Sequence, residues 1–243
     1  MKLAESTWTD VRDADADLAV LPVGSTEQHG PHAPLGVDFM TAETIAAEGA
    51  VRYDVDEVVV APTIPVGIAE EHRHFDGTLW VSADTFRAYV RETIGSLAFH
   101  GFDRVVVVNG HGGNVDALRE VCGEVTRSDD AYAVPFTWFD AIATDDLDVT
   151  MGHGGPLETA LLRHLRPELL REENVETAAD GAADGWGEWV CGTNLAYDSS
   201  EFTESGVVGD PRDGGAALGE ELLERSVDAL CAVLEAVANR RLD

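Results

Sequence analysis

Val105–Asn114 reads VVVVNGHGGN, four β-branched apolar residues followed almost at once by a histidine among three glycines. A run this short and this apolar is the pattern of a strand buried on both faces of a parallel sheet. The polar, glycine-rich sequence after it lies where open α/β sheets bind ligands, beyond the carboxyl end of a strand. Leu18–Ser25 (LAVLPVGS) repeats the theme and runs into Gly24–Asp38, GSTEQHGPHAPLGVD. Between the two lie a helical segment from Asp38 to Tyr53, an apolar run from Val55 to Val66 broken by Pro62 and Pro65, and a face of Phe86, Val90, Ile94 and Leu97 behind candidate caps Ser82 and Asp84. Asn114 is placed to cap a helix carrying Leu118, Val121 and Val125. Tyr132–Phe139 reads as a further strand, Leu157, Leu161 and Leu165 as one helical face, and Leu218–Val237 as a long closing helix. Strand and helix alternate throughout, which predicts one three-layer α/β/α sandwich with a mainly parallel sheet over residues 1–243.

Composition narrows the function classes. Forty-six acidic residues face sixteen basic ones, a formal net charge of −30, and Lys2 is the single lysine. Such a field repels phosphate backbones and anionic headgroups, so neither nucleic-acid nor membrane partners are expected. The acids are spread along the whole chain rather than gathered in a tail. This predicts a halophilic, archaeal cytosol, where molar salt screens charges to about 3 Å. No spanning apolar run or signal-peptide pattern is read, and a cytoplasmic location is expected. Cys122, Cys191 and Cys231 have no zinc-ribbon spacing.

Chemistry-bearing residues collect in four segments. In GSTEQHG, Glu27 and His29 are two apart and point the same way in an extended stretch, and Asp38 opens the next helix. NGHGGN offers His111. MGHGGPLET (Met151–Thr159) offers His153 and, in a first helical turn, Glu158, which also reads as a simple capping acid. AEEHRHFDGT carries Glu70, Glu71, His72 and His74, better read as lid or substrate contacts than as ligands. Carboxylates and imidazoles at strand ends suit Zn²⁺, Mn²⁺ or Fe²⁺. A bridging carboxylate, here Asp38, would hold two such ions about 3.5 to 4 Å apart with a hydroxide between them. His100 and His164 fall on helices, and His32 reads as loop packing. The unpatterned stretch Asp180–Asn194, with Trp186 and Trp189 among its glycines, is the expected functional loop.

Taken in order, GSTEQHGPH with Asp38, EHxxFxGT (Glu71 to Thr78), NGHGGN, GHxGxxET and GVVGDP (Gly206–Pro211) resemble the creatininase family of metal-dependent amidohydrolases, from about residue 18 to 235. The resemblance implies a homohexamer of α/β/α domains, two divalent metal ions and hydrolysis of a C–N bond in a small or short-peptide amide. It implies that Glu27 and His111 hold one metal, that His29 holds the other, and that Asp38 bridges. His153, with Glu158, would protonate the leaving nitrogen, and His72, Trp186 and Trp189 would contact substrate. Creatinine-hydrolysing members carry a glutamate two residues after the NGH histidine, as a ligand to the second metal. Here that position is Gly113, leaving Glu158 or water to complete the site. The wording of GSTEQHGPH and SGVVGDP is nearer to the mycofactocin-maturation peptidase branch. The formamidopyrimidine nucleotide deformylase branch and creatinine hydrolysis itself are the alternatives. Phosphoester chemistry is disfavoured because these segments hold Arg73 alone as a cation. A non-catalytic hexameric scaffold is the reading from another class.

Overall fold

The computed structural model describes residues 1–14, 16–55, 57–128, 130–142, 147 and 149–241. Its elements run α1 (Trp8–Asp13), β1 (Leu18–Val23), α2 (Val37–Arg52), β2 (Val58–Val60), α3 (Ala83–Phe99), β3 (Arg104–Asn109), α4 (Val115–Arg127), β4 (Tyr132–Thr137), α5 (Trp138–Ala141), α6 (Pro156–Leu165), α7 (Val175–Asp180), β5 (Trp189–Val190), β6 (Thr193–Asn194) and α8 (Ala216–Ala238). β1 to β4 form a parallel sheet in the order β2-β1-β3-β4.

Alternation along the strands sends side chains to two separate cores. Leu18, Val20, Val106 and Val108 pack with Ile45 of α2, Leu157 and Leu161 of α6, and Leu222, Val227 and Leu230 of α8. Ala19, Leu21, Val105 and Val107 face the other way, onto Phe86, Val90 and Ile94 of α3 and Leu118 and Val121 of α4. Burying each of the larger side chains stabilises the fold by roughly 1.5–3 kcal/mol. The result is the expected helix, sheet, helix layering, with the parallel sheet β1 to β4 covered on both faces.

Three local expectations change. The apolar run from Val55 is a strand only over Val58–Val60, with an isolated bridge from Val23 to Ile64, because Pro62 and Pro65 cannot donate to a ladder. The run from Tyr132 stops being strand at Thr137, and Trp138 begins a short helix with its ring buried in the first core. Asp180–Asn194 is not wholly irregular, since Trp189–Val190 and Thr193–Asn194 pair as an antiparallel hairpin. Ser82 caps α3, its Oγ accepting from the Thr85 N–H. Among the described residues no helix is long and apolar enough to cross a membrane.

Candidate metal centre

After β1 the chain leaves for β2 on one side, and it returns through β3 on the other. The carboxyl ends of β1 and β3 therefore flank a topological switch point, where a crevice opens. Two glycines let α2 enter it. A Cβ on Gly24 would lie 2.4 Å from the Phe39 backbone nitrogen, and one on Gly110 would lie 2.2 Å from the Asp38 carbonyl oxygen. Residues without side chains at both strand ends thus admit the first turn of α2, and Asp38 stands between β1 and β3. Negative charge at a helix N-terminus is favourable there.

Two histidines flank Asp38, one to each carboxylate oxygen. His29 Nε2 is 3.0 Å from Asp38 Oδ1, and His111 Nδ1 is 3.2 Å from Oδ2 and 3.1 Å from Glu27 Oε2. The second nitrogen of each ring is committed to the backbone. His29 Nδ1 donates to Glu27 O at 3.1 Å and His111 Nε2 to Ile68 O at 2.6 Å. Those bonds fix the tautomers that leave a lone pair facing the carboxylates. Glu158 completes the set. Its Oε2 accepts from the Gly154 N–H at 2.6 Å, while Oε1 lies 3.7 Å from His29 Nε2, so the capping role and the site role fall to different oxygens of one side chain.

Lone pairs and anionic oxygens this close are repulsive unless a cation lies among them. Glu27, His29, Asp38, His111 and Glu158 are all at most 6% exposed. Of seven buried side-chain polar atoms without a hydrogen-bond partner among the described residues, four belong here: both oxygens of Glu27, Asp38 Oδ2 and His29 Nε2. Donors bound about 2.0–2.2 Å from one ion lie about 3 Å apart, which is the spacing seen. The residues therefore fit divalent cations, with Asp38 offering one oxygen to each of two positions. Without a metal, protons must serve. Burial opposes charge on His29 and His111, but the facing carboxylates override it and raise both well above the usual histidine value. Burial also opposes ionisation of Asp38, yet His29 and His111 hold it below the usual carboxylate range. Burial pushes Glu27 up to about 7 against the pull of His111.

His153 and His72 lie above this floor, stacked at 4.2 Å. His153 Nε2 is 2.6 Å from Gln28 O, so it donates there and Nδ1 keeps its lone pair, 3.6 Å from Glu27 Oε1. Burial, reinforced by the charge on His29, lowers His153 to about 4, and the ring is neutral. His72 carries the same tautomer, held from its other nitrogen. The Gln28 amide accepts from the Gly30 N–H and donates to Gly206 O, both at 2.8 Å, so its Nε2 also donates to His72 Nδ1 at 2.9 Å. The proton of His72 is then on Nε2, 3.5 Å from Glu27 Oε1, and this nitrogen is a donor and not a metal ligand. Trp186 presents an edge to both rings at 5.8 Å. Together with Phe139 and Met151 it walls a cavity of about 330 Å³ above the carboxylates.

Glu27, His29, Asp38, His72, His111, His153, Glu158 and Trp186 are thus brought together. Trp189 is not. It is 60% exposed on the hairpin outside the cavity, donating to Trp186 O. Gly113 stands beside His111, and the carboxylate that faces His29 from elsewhere is Glu158.

A family model described as creatinine amidohydrolase matches residues 4–234. The chain belongs to the creatininase family. The mycofactocin precursor peptide peptidase of Mycolicibacterium smegmatis is 33% identical over 220 residues, covering 88% of this chain and 83% of that protein. The creatinine amidohydrolase of Pseudomonas putida is 29% identical over 199 residues, covering 71% and 75%. A crystal structure of creatinine amidohydrolase superposes with a TM-score of 0.83 at 23% identity, covering 99% of this chain and 98% of that one. This creatininase-family chain is therefore a hydrolase of C–N amide bonds on the family's α/β fold.

Several supporting residues escape sequence reading. Asn114 makes no capping bond to its helix. Its Nδ2 donates to Gly24 O at 3.1 Å and its Oδ1 accepts from the Ile68 N–H at 3.0 Å, lacing three segments of the site together. Asn109 holds the NGHGGN turn by accepting from the His111 N–H and donating to His111 O. Gln28 was visible only as the residue between Glu27 and His29. Its function depends on Gly206, 178 residues later, a pairing for which the sequence carries no local signal.

Proposed function

We propose that this protein is a two-metal amidohydrolase of the precursor-peptide peptidase type, cleaving a short peptide or small amide. The observation that carries the reading is the carboxylate of Asp38, shared between His29 and His111 on the buried floor of a cavity. One ion would take Glu27, Asp38 and His111, and the other His29, Asp38 and Glu158. Zn²⁺, Mn²⁺ and Fe²⁺ match these oxygen and nitrogen donors. When bound, the ions supply Lewis acidity at the amide carbonyl and lower the pKa of water.

The protein's own groups do the rest. The cavity is at the small end of ligand sites, which suits the end of a peptide or a compact amide. His153 Nδ1, neutral and unprotonated, accepts a proton from the attacking water and returns it to the leaving nitrogen. His72, with its proton fixed on Nε2, donates a hydrogen bond to substrate, and the Trp186 wall excludes water from the reacting bond. Similarity to the peptidase of Mycolicibacterium smegmatis favours a peptide substrate.

The test is product release from a panel of short peptides, formamides, lactams and creatinine, with Mn²⁺, Zn²⁺ and Fe²⁺ in turn. A released dipeptide supports the peptidase reading. Formate alone moves the assignment to a deformylase, ring opening to a creatinine amidohydrolase, and failure to bind any transition metal at saturation leaves a scaffold. The charge of −30 further supports a halophilic archaeal cytoplasm, and the family resemblance alone supports a homohexamer. Activity and assembly would then require molar salt, and equal performance in dilute buffer would refute that habitat.

A further inference from the structure

Gly113 is a place where a side chain cannot go. A Cβ built on it would lie 2.2 Å from the Ile68 carbonyl oxygen, 2.5 Å from His111 Nε2 and 3.0 Å from Glu71 Oε1. The segment from Ile68 to His72 therefore fills the space beside His111, and it brings a different carboxylate there. Glu71 lines the same cavity as Glu27, Asp38 and Glu158, but on the other side of the His111 ring from the metal donors. Its Oε1 lies 3.9 Å from Nε2, the nitrogen already bonded to Ile68 O, whereas Nδ1 is the one that faces Glu27 and Asp38.

Glu71 is also a cavity carboxylate with no lysine or arginine beside it, its one ion-pair contact among the described residues being the long one to His111. Neighbouring Glu70 pairs with Arg73, and Arg73 with Asp198. No arginine or lysine among the described residues pairs with Glu71, and none lines the cavity. Its side chain is 24% exposed, so it is partly desolvated yet still reachable from the cavity. A half-buried carboxylate is satisfied best by a charged donor at hydrogen-bond distance, and no lysine or arginine among the described residues provides one.

We infer that Glu71 is a specificity-determining residue that binds a cationic nitrogen of the substrate, an ammonium or amidinium group near the scissile amide. The inference rests on the amidohydrolase reading and names the substrate class for the same cavity. The preferred substrate is an amide carrying a free amine close to its carbonyl, and neutral amides of the same shape are poor.

Two isosteric pairs test this. Alaninamide, largely protonated at pH 7, is compared with isobutyramide by ammonia release, each amide taking up one water to give its carboxylic acid and ammonia. Isobutylamine is compared with isobutanol by calorimetric binding, which needs no turnover. Both pairs are measured on metal-loaded wild type, on Glu71→Gln and on the control Glu70→Gln, with bound metal quantified. The expected result is a preference of about 10- to 100-fold for the cation, in KM and in Kd, that disappears in Glu71→Gln and persists in Glu70→Gln with metal content unchanged. Absence of the preference in wild type, or its survival in Glu71→Gln, overturns the inference. Loss of metal in Glu71→Gln also overturns it, by making Glu71 a ligand. If neither amide is hydrolysed while isobutylamine still binds preferentially, the hydrolase reading fails for these amides and the Glu71 assignment stands.

Discussion

Carboxylates play opposite parts in two regions of this molecule. Around the long helix α8, Glu224 and Asp228 reach Arg52 at 2.9 and 2.8 Å with side chains 55% and 71% exposed. At the end of the sheet, Glu27, Asp38 and Glu158 are buried with no lysine or arginine among the described residues paired to them, and imidazoles face all three. The first kind is neutralised by its partner and by solvent. The second kind is costly without a cation, because burying an unpaired charge is expensive. The same residue types thus mark a solvated surface in one place and a cation-demanding floor in the other, and burial decides which.

The comparison is broken most severely at Asp38. Asp38→Ala removes an oxygen from both cation positions, and it is expected to abolish metal uptake and lower turnover by about 10³-fold or more. Elemental analysis showing full occupancy would remove Asp38 from its shared role. His153→Ala keeps its metal but loses about 10²- to 10⁴-fold in kcat, and steady-state kinetics beside metal content separates the two cases.

The pH dependence of stability distinguishes buried from exposed acids next. In metal-free protein, Glu27 is raised from 4.5 to about 7 and both His29 and His111 lie well above 6.5. Groups raised in the fold stabilise it at low pH, and that stabilisation is lost as pH climbs through their folded values. Asp38 has the reverse sign, its contribution lost as pH falls below its ordinary 3.8. Chelated protein is therefore expected to lose on the order of 5–10 °C in Tm between pH 5 and 8. Metal-loaded protein moves the other way, since ions displace those protons and bind more tightly as pH rises. Parallel melting curves with and without chelator would remove the link between metal and cluster. The smallest effect belongs to the surface. Arg52→Ala is expected to shift Tm by no more than about 2–4 °C in dilute buffer, and by less in molar salt.

Much of this was legible in the chain. The short continuous apolar run VVVV, and helical faces such as Phe86, Val90 and Ile94, gave the layers because hydrophobic pattern is local. Asp38 and the histidines stood out because polar segments follow apolar strands. What was hidden depends on contacts between distant segments. Asn114 looked like a cap because caps are read from neighbours, whereas its partners Gly24 and Ile68 come from other loops. Trp189 looked equivalent to Trp186, but it lies on an exposed hairpin with both residues of its strand in solvent. Glu71 was one acid of a polar cluster until Gly113 was seen to leave it no competitor for its place.

The backbone clasp around Asp38 also bears on how the protein assembles. Gly24 follows β1, Gly110 follows β3, and the two strands pair directly only after α2, β2 and α3 have been threaded between them. Parallel pairing across such a separation is a slow, late step in folding. The cation site cannot exist before that step, since neither glycine alone positions the Asp38 carboxylate against both histidines. Metal uptake during refolding is therefore a clock for the closing of the sheet, and its rate should track the slowest phase of refolding rather than the formation of the helices.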